Sequence, residues 1–243
     1  MIGLPTSSLP ALSLPVQTAE PTPLAMPKGM GWAALAAVLT IGPVFVQAPL
    51  VRWAPMVATL ATLPLVGLAL MLTRHRDPAL QRLGLLLVGF AGSWLGGCLF
   101  WGWGRSHPVL HLPIEGFALP LAIGGLRTRW RLGACFYLAS FLGTALTDGL
   151  IALTGLMPFW PPVVAAPPAT AATLLQEAAQ ALLHPWPLLA LLLAALAIGR
   201  LARALWAAEP GRIVASAVLA STLVVDGVFF GAALLAPHLS GLI

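Results

Sequence analysis

MVATLATLPLVGLALMLTRHR, residues 56–76, has the length and composition of a membrane-crossing helix. Eighteen residues without a charge are closed by Arg74, His75 and Arg76. At about 1.5 Å per helical residue that run covers ~27 Å, close to the hydrocarbon thickness of a bilayer. Read as a membrane span, it ends where basic side chains meet water.

Working outward, the chain offers six more such runs. The expected spans are 31–47, 56–73, 83–103, 110–126, 132–156, 186–204 and 213–236. They predict an all-α, polytopic helix bundle with seven transmembrane helices. Residues 48–55 form the first turn, and 157–168 a proline-rich loop. Between that loop and the sixth span, residues 170–183 predict an interfacial amphipathic helix. Thr173, Gln176, Glu177 and Gln180 take one face, and Leu174, Leu175, Ala178 and Leu182 the other. Two regions result: a flexible, proline-rich cytoplasmic tail over 1–29 and a seven-helix transmembrane domain over 30–243.

Composition agrees. The chain is 59% hydrophobic and 8% charged, against roughly 25% charged in a soluble domain. The twelve Lys and Arg residues divide by side. Lys28, Arg74, Arg76, Arg82, Arg127, Arg129, Arg131, Arg200, Arg203 and Arg212 fall on the N-terminal side, and only Arg52 and Arg105 on the other. That asymmetry places the N-terminus in the cytoplasm and the C-terminus on the far side. It also accounts for a pI of 10.6 without nucleic acid, since no basic run with interleaved aromatics is present. Trp53, Trp101, Trp103, Trp160 and Trp186 are expected at the far interface as an aromatic belt. Cys98 and Cys135 lack metal spacing and read as small buried apolar residues.

Three carboxylates remain inside the spans, and an acid in a bilayer needs a reason. Glu115 lies about five residues, Asp148 about eight and Asp226 about ten residues from the far end of its expected span. His111 stands four residues before Glu115, on the same helical face. Tyr137, Ser140, Thr144 and Asp148 form a polar stripe at helical spacing, and Thr222 stands four residues before Asp226. Pro113 and Pro120 flank Glu115, and broken helices carrying a carboxylate are how many transporters build ion sites. The expected proton, ion or substrate site is therefore Glu115, Asp148, Asp226, His111, Tyr137 and Thr144. His107, His111 and Glu115 are the candidates for a bound metal. His184 and His238 also fall near the far face.

The leading expectation is proton-linked, cation or small-solute transport through this carboxylate and histidine site. An alternative is a non-catalytic accessory or assembly factor of a photosynthetic membrane complex, with haem or pigment on His107 or His111. It is motivated by the tail, the tryptophans and the Gly92/Gly96 pair, which suits close helix approach and a homo-oligomer. Sequence signatures of metalloproteases, α/β-hydrolases and P-loop NTPases are absent. Leu-Pro-Ile-Glu-Gly-Phe (112–117) is similar to the Pro-x-Glu-Glu element of membrane-integral lycopene cyclases, with glycine for the second glutamate. That likeness implies a third reading, a lipid- or isoprenoid-modifying enzyme.

Three longer runs carry a broader resemblance: GPVFVQAPLVR (42–52), HPVLHLPIEGFALP (107–120) and FYLASFLGTALTD (136–148). Together they resemble a cyanobacterial multi-pass membrane family catalogued only as a domain of unknown function, over about residues 30–240. The resemblance implies a bacterial plasma or thylakoid membrane and brings no assigned activity or site residues.

Overall fold

Proline at the first turn starts most of the long helices, where its missing N–H leaves no bond unmade. In the computed structural model, which describes residues 29–207 and 209–239, seven helical stretches are long and apolar enough to cross a membrane. They run Met30–Trp53, Pro55–Leu72, Pro78–Gly104, Pro108–Gly125, Arg131–Leu153, Pro185–Leu205 and Pro210–Leu235. Among the described residues there is no strand. The expected polytopic bundle is thus the observed one. The tail expected over 1–29 lies, apart from Gly29, outside the described residues.

Caps explain several boundaries. The Asp77 carboxylate accepts from the Ala79 N–H at 2.8 Å before the third span. Glu209 accepts from the N–H groups of Gly211 and Arg212 before the seventh. Gly155, at φ +75°, closes the fifth: the Leu156 N–H reaches back to the Ile151 carbonyl at 2.9 Å in a Schellman turn. That turn ends the span before residue 156. The first span instead continues past Gln47, through Pro43 and Pro49, to Trp53. Each proline deletes one hydrogen bond, but apolar surroundings offer the backbone no better partner, so the helix carries on.

The third, fifth and seventh spans form a central row. The second packs on the third, the first and sixth on the seventh, and the fourth on the fifth. Small residues set the crossings. A Cβ built on Gly89 would run into the Gly133 backbone, and one on Gly143 would meet the Thr222 side chain. Around these crossings lies an apolar core that includes Ala36, Leu86, Phe136, Val214 and Val218. It fills the half of the bundle nearest the arginine-rich end.

At the opposite, far end the chain is less regular. Residues 157–168, expected as a loop, form the tight turn Met157–Phe159 and the short α-helix Trp160–Ala165. The amphipathic helix runs Pro168–Ala181 and seats a buried Ala171/Ala179 stripe against the end of the seventh span. Its Gln176 amide donates to the Leu234 carbonyl at 3.2 Å, one of the last-turn carbonyls that a helix cannot bond internally.

Candidate functional site

The fourth span is four short pieces: Pro108–Leu110, His111–Glu115, Gly116–Ala118 and Leu119–Gly125. Only the second and fourth are α-helical; the others are tighter three-residue turns. The break follows from Pro113 and Pro120, whose rings cannot donate to the ladder. Two backbone groups at the break, the Glu115 carbonyl and the Ala118 N–H, find the same partner across the bundle. The Tyr137 hydroxyl of the fifth span donates to the Glu115 carbonyl. It also accepts from the Ala118 N–H at 3.1 Å.

Held this way, the first turns of the fourth span aim His111 and Glu115 inward. Nε2 of His111 lies 3.1 Å from Oε1 of Glu115, the four-residue pair visible in the sequence. Nδ1 of the same ring lies 2.9 Å from Oδ2 of Asp148, on the fifth span. One imidazole therefore bridges two carboxylates from two spans. The Asp148 contact departs from the direction of the ring N–H, so it is a close charge contact and not an in-line hydrogen bond. All three groups are shielded, with His111 only 6% exposed.

Donor counting limits what this cluster holds. The Nε2 bond needs one proton between its partners, and the off-line Nδ1 contact is repulsive unless the nitrogen or Asp148 carries another, so the two contacts need two protons. An imidazolium with two carboxylates satisfies that, and so does a neutral imidazole with one carboxylic acid. Both arrangements carry a net charge of −1. Removing one further proton leaves one contact with none, and that link opens.

An aromatic box surrounds the ring. Phe100, fully buried, stacks on His111 with centroids 3.9 Å apart at 20°. Trp101 and Trp160 present edges at 5.9 and 5.8 Å and stack on each other at 5.7 Å. The Trp160 indole N–H donates to the Arg105 carbonyl at 2.8 Å, fixing this wall. Phe100 and Trp101 reach the box because the third span ends in a π turn, Phe100–Gly104. Single π turns inside longer helices frequently accompany functional sites.

The glycine pair of the third span serves this site from within the chain. A Cβ on Gly96 would stand 3.1 Å from the Glu115 Cα, and one on Gly92 would stand 3.1 Å from the Tyr137 ring. The face expected to make a homo-oligomer is filled by the fourth and fifth spans. Likewise, of the five tryptophans expected in the far belt, Trp101 and Trp160 turn inward. Trp53, Trp103 and Trp186 remain exposed.

Other expected site residues lie elsewhere. Asp226 of the seventh span is half-buried and accepts from the Thr147 hydroxyl at 2.7 Å, on the neighbouring face of the fifth span. Thr144 donates to the Ser140 carbonyl of its own helix at 3.4 Å. His107 is exposed before the Pro108 turn, and His184 and His238 are exposed too. Of the metal candidates, His111 and Glu115 meet and His107 stands apart; among the described residues no group of three or more His, Cys, Asp and Glu side chains suits a metal ion. The box residues and Thr147 escaped the sequence reading, although the run Phe-Trp-Gly-Trp-Gly (100–104) at a span end was visible.

Residues 36–234 match the family described as protein of unknown function (DUF3120), and the chain belongs to that family. No curated protein and no solved structure matches it.

Proposed function

We propose that this DUF3120 member is a proton-linked membrane transporter in which Asp148, His111 and Glu115 form the proton-carrying unit. The observation that carries the reading is the buried imidazole with a carboxylate of a different span on each ring nitrogen. An ionisable cluster inside a membrane is costly and by default functional. Here protonation is tied to structure. Loss of one proton opens one of the two links, and the His111–Asp148 link is the one that fastens the broken fourth span to the fifth.

Position supports the same reading. Asp148 lies five residues inside Leu153 and Glu115 seven inside Pro108, about 8 and 10 Å from the far ends at ~1.5 Å per residue. Between them and the arginine-rich, cytoplasmic end lies the apolar core around Phe136 and Val218. Protons enter from the far side, and release to the other side requires the fourth span to move. Proline breaks supply the joints for that movement. The accessory-factor reading loses support, since the glycine pair and two of the tryptophans that motivated it face inward within the chain.

The test is proton flux in proteoliposomes loaded with a pH-sensitive dye, under an imposed pH gradient. Wild-type protein should acidify the lumen faster than empty vesicles. Glu115→Gln and Asp148→Asn should abolish that flux while the variants still insert and run as single species. Unchanged flux in both variants overturns the assignment.

A further inference from the structure

Away from the His111 site, the sixth and seventh spans part to leave a cavity of about 450 Å³, open on one side. Its residues sort by depth. Arg203 and Trp206 stand in the last turn of the sixth span, at the arginine-rich end. From there the walls descend past Ala202, Ser216 and Ala220 to Val224. On the seventh span the lining runs from Ser216 to Val224, eight residues or about 12 Å at ~1.5 Å per residue.

The lining has one charge. Arg203 is exposed and makes no ion pair among the described residues. The floor calls for no polar ligand. The Ser216 hydroxyl donates to the Ala202 carbonyl at 2.6 Å, which satisfies it and clamps the two spans. Trp206 has the amphipathic ring that settles at headgroup level. An open apolar groove between two spans, with one free guanidinium and an indole at one end, matches one molecular shape. That shape is a hydrocarbon chain beneath an anionic head.

We infer that this groove is a binding site for an anionic phospholipid of the cytoplasmic leaflet. One acyl chain lies along Ala202, Ala220 and Val224, and the headgroup phosphate pairs with Arg203. Charge complementarity selects the head, because anionic lipids attract basic side chains at that surface. The apolar lining selects the chain. Nothing in this assignment depends on the proton-carrying role of His111.

The experiment is native mass spectrometry of the full chain released from nanodiscs holding equimolar phosphatidylglycerol and phosphatidylcholine. The wild type should retain one phospholipid, with phosphatidylglycerol enriched about five-fold, the ~1 kcal/mol that one arginine supplies near an anionic lipid. Ala220→Phe, which fills the slot, should lose the retained lipid of either kind. Arg203→Gln should keep a lipid and lose the preference. Equal retention of the two lipids by the wild type overturns the proposal. So does undiminished retention in Ala220→Phe, or an undiminished preference in Arg203→Gln. Equal melting temperatures of the three proteins in lipid-free detergent establish that the variants are folded.

Discussion

The Tyr137 hydroxyl bonds the backbone of Glu115, not its carboxylate. Together with the 3.1 Å bond from Ala118 N–H, it makes the phenol a splint across the gap in the fourth span. The polar stripe expected to line the proton, ion or substrate site therefore contains at least one residue whose work is structural.

Tyr137→Phe keeps the ring and removes the splint. Two backbone groups then lose their partner away from water, at a cost of roughly 1–3 kcal/mol for each buried polar group left unpaired. The expected outcome is a lower melting temperature in detergent, with partial loss of flux as Glu115 drifts. A relay role predicts the reverse pattern, with flux abolished and melting unchanged.

Gly96→Ala and Gly92→Ala test the packing that seats the site. Each new Cβ meets its neighbour at 3.1 Å, the Glu115 Cα in one case and the Tyr137 ring in the other. The first neighbour is backbone, and the second is a ring held by two hydrogen bonds, so neither yields easily. Both variants should melt below the wild type. Gly67→Ala is the control: nothing lies within 4 Å of its Cβ, and alanine is favoured over glycine in a helix by ~1 kcal/mol. If Gly92 and Gly96 instead joined two copies of the chain, their variants would change oligomer mass in solution and leave melting of the monomer intact.

His111→Leu removes the bridge and leaves Glu115 and Asp148 buried without a partner. Breaking a buried ionic cluster by deleting one member typically costs about 3–5 kcal/mol, whereas replacing all members is often neutral. The triple variant His111→Leu, Glu115→Gln, Asp148→Asn should thus recover most of the stability that the single variant loses. Denaturation of the single and triple variants measures this coupling. Additive losses would show that the three residues do not act as one unit.

Much of the architecture was legible because membrane spans announce themselves by length and charge. The run 56–73 and its closing Arg74-His75-Arg76 needed no tertiary information. The His111/Glu115 pair was legible as well, since a four-residue spacing fixes a shared face. Which acid from another span would meet them was not. Asp148 and Asp226 look equivalent in sequence, and helix rotation, set by contacts such as Gly89 on Gly133, decides between them. The direction of Trp101 was hidden for a related reason: the π turn at Phe100–Gly104 shifts the register of every side chain after Leu99. Pro49 misled in the opposite sense, because a turn signal in water is a tolerated kink in a bilayer.

The Thr147 hydroxyl stands between two acceptors. It lies 3.1 Å from the Gly143 carbonyl of its own helix and 2.7 Å from Oδ2 of Asp226. One hydroxyl has one proton, so it cannot donate to both at once. When Asp226 is a carboxylic acid, it donates to Thr147, and Thr147 donates to Gly143. When Asp226 is a carboxylate, Thr147 turns to it, and the Gly143 carbonyl loses a partner. Asp226 thus has a hydrogen-bond partner of its own, Thr147. Infrared difference spectra across a pH step resolve the carboxyl stretching bands that report this. Asp226→Asn should delete one band and Thr147→Val should shift that same band, with the Glu115 and Asp148 features unchanged in both. Flux should survive Asp226→Asn. Loss of flux in that variant, or a displaced Asp148 band in Thr147→Val, would instead join Asp226 to the proton-carrying unit.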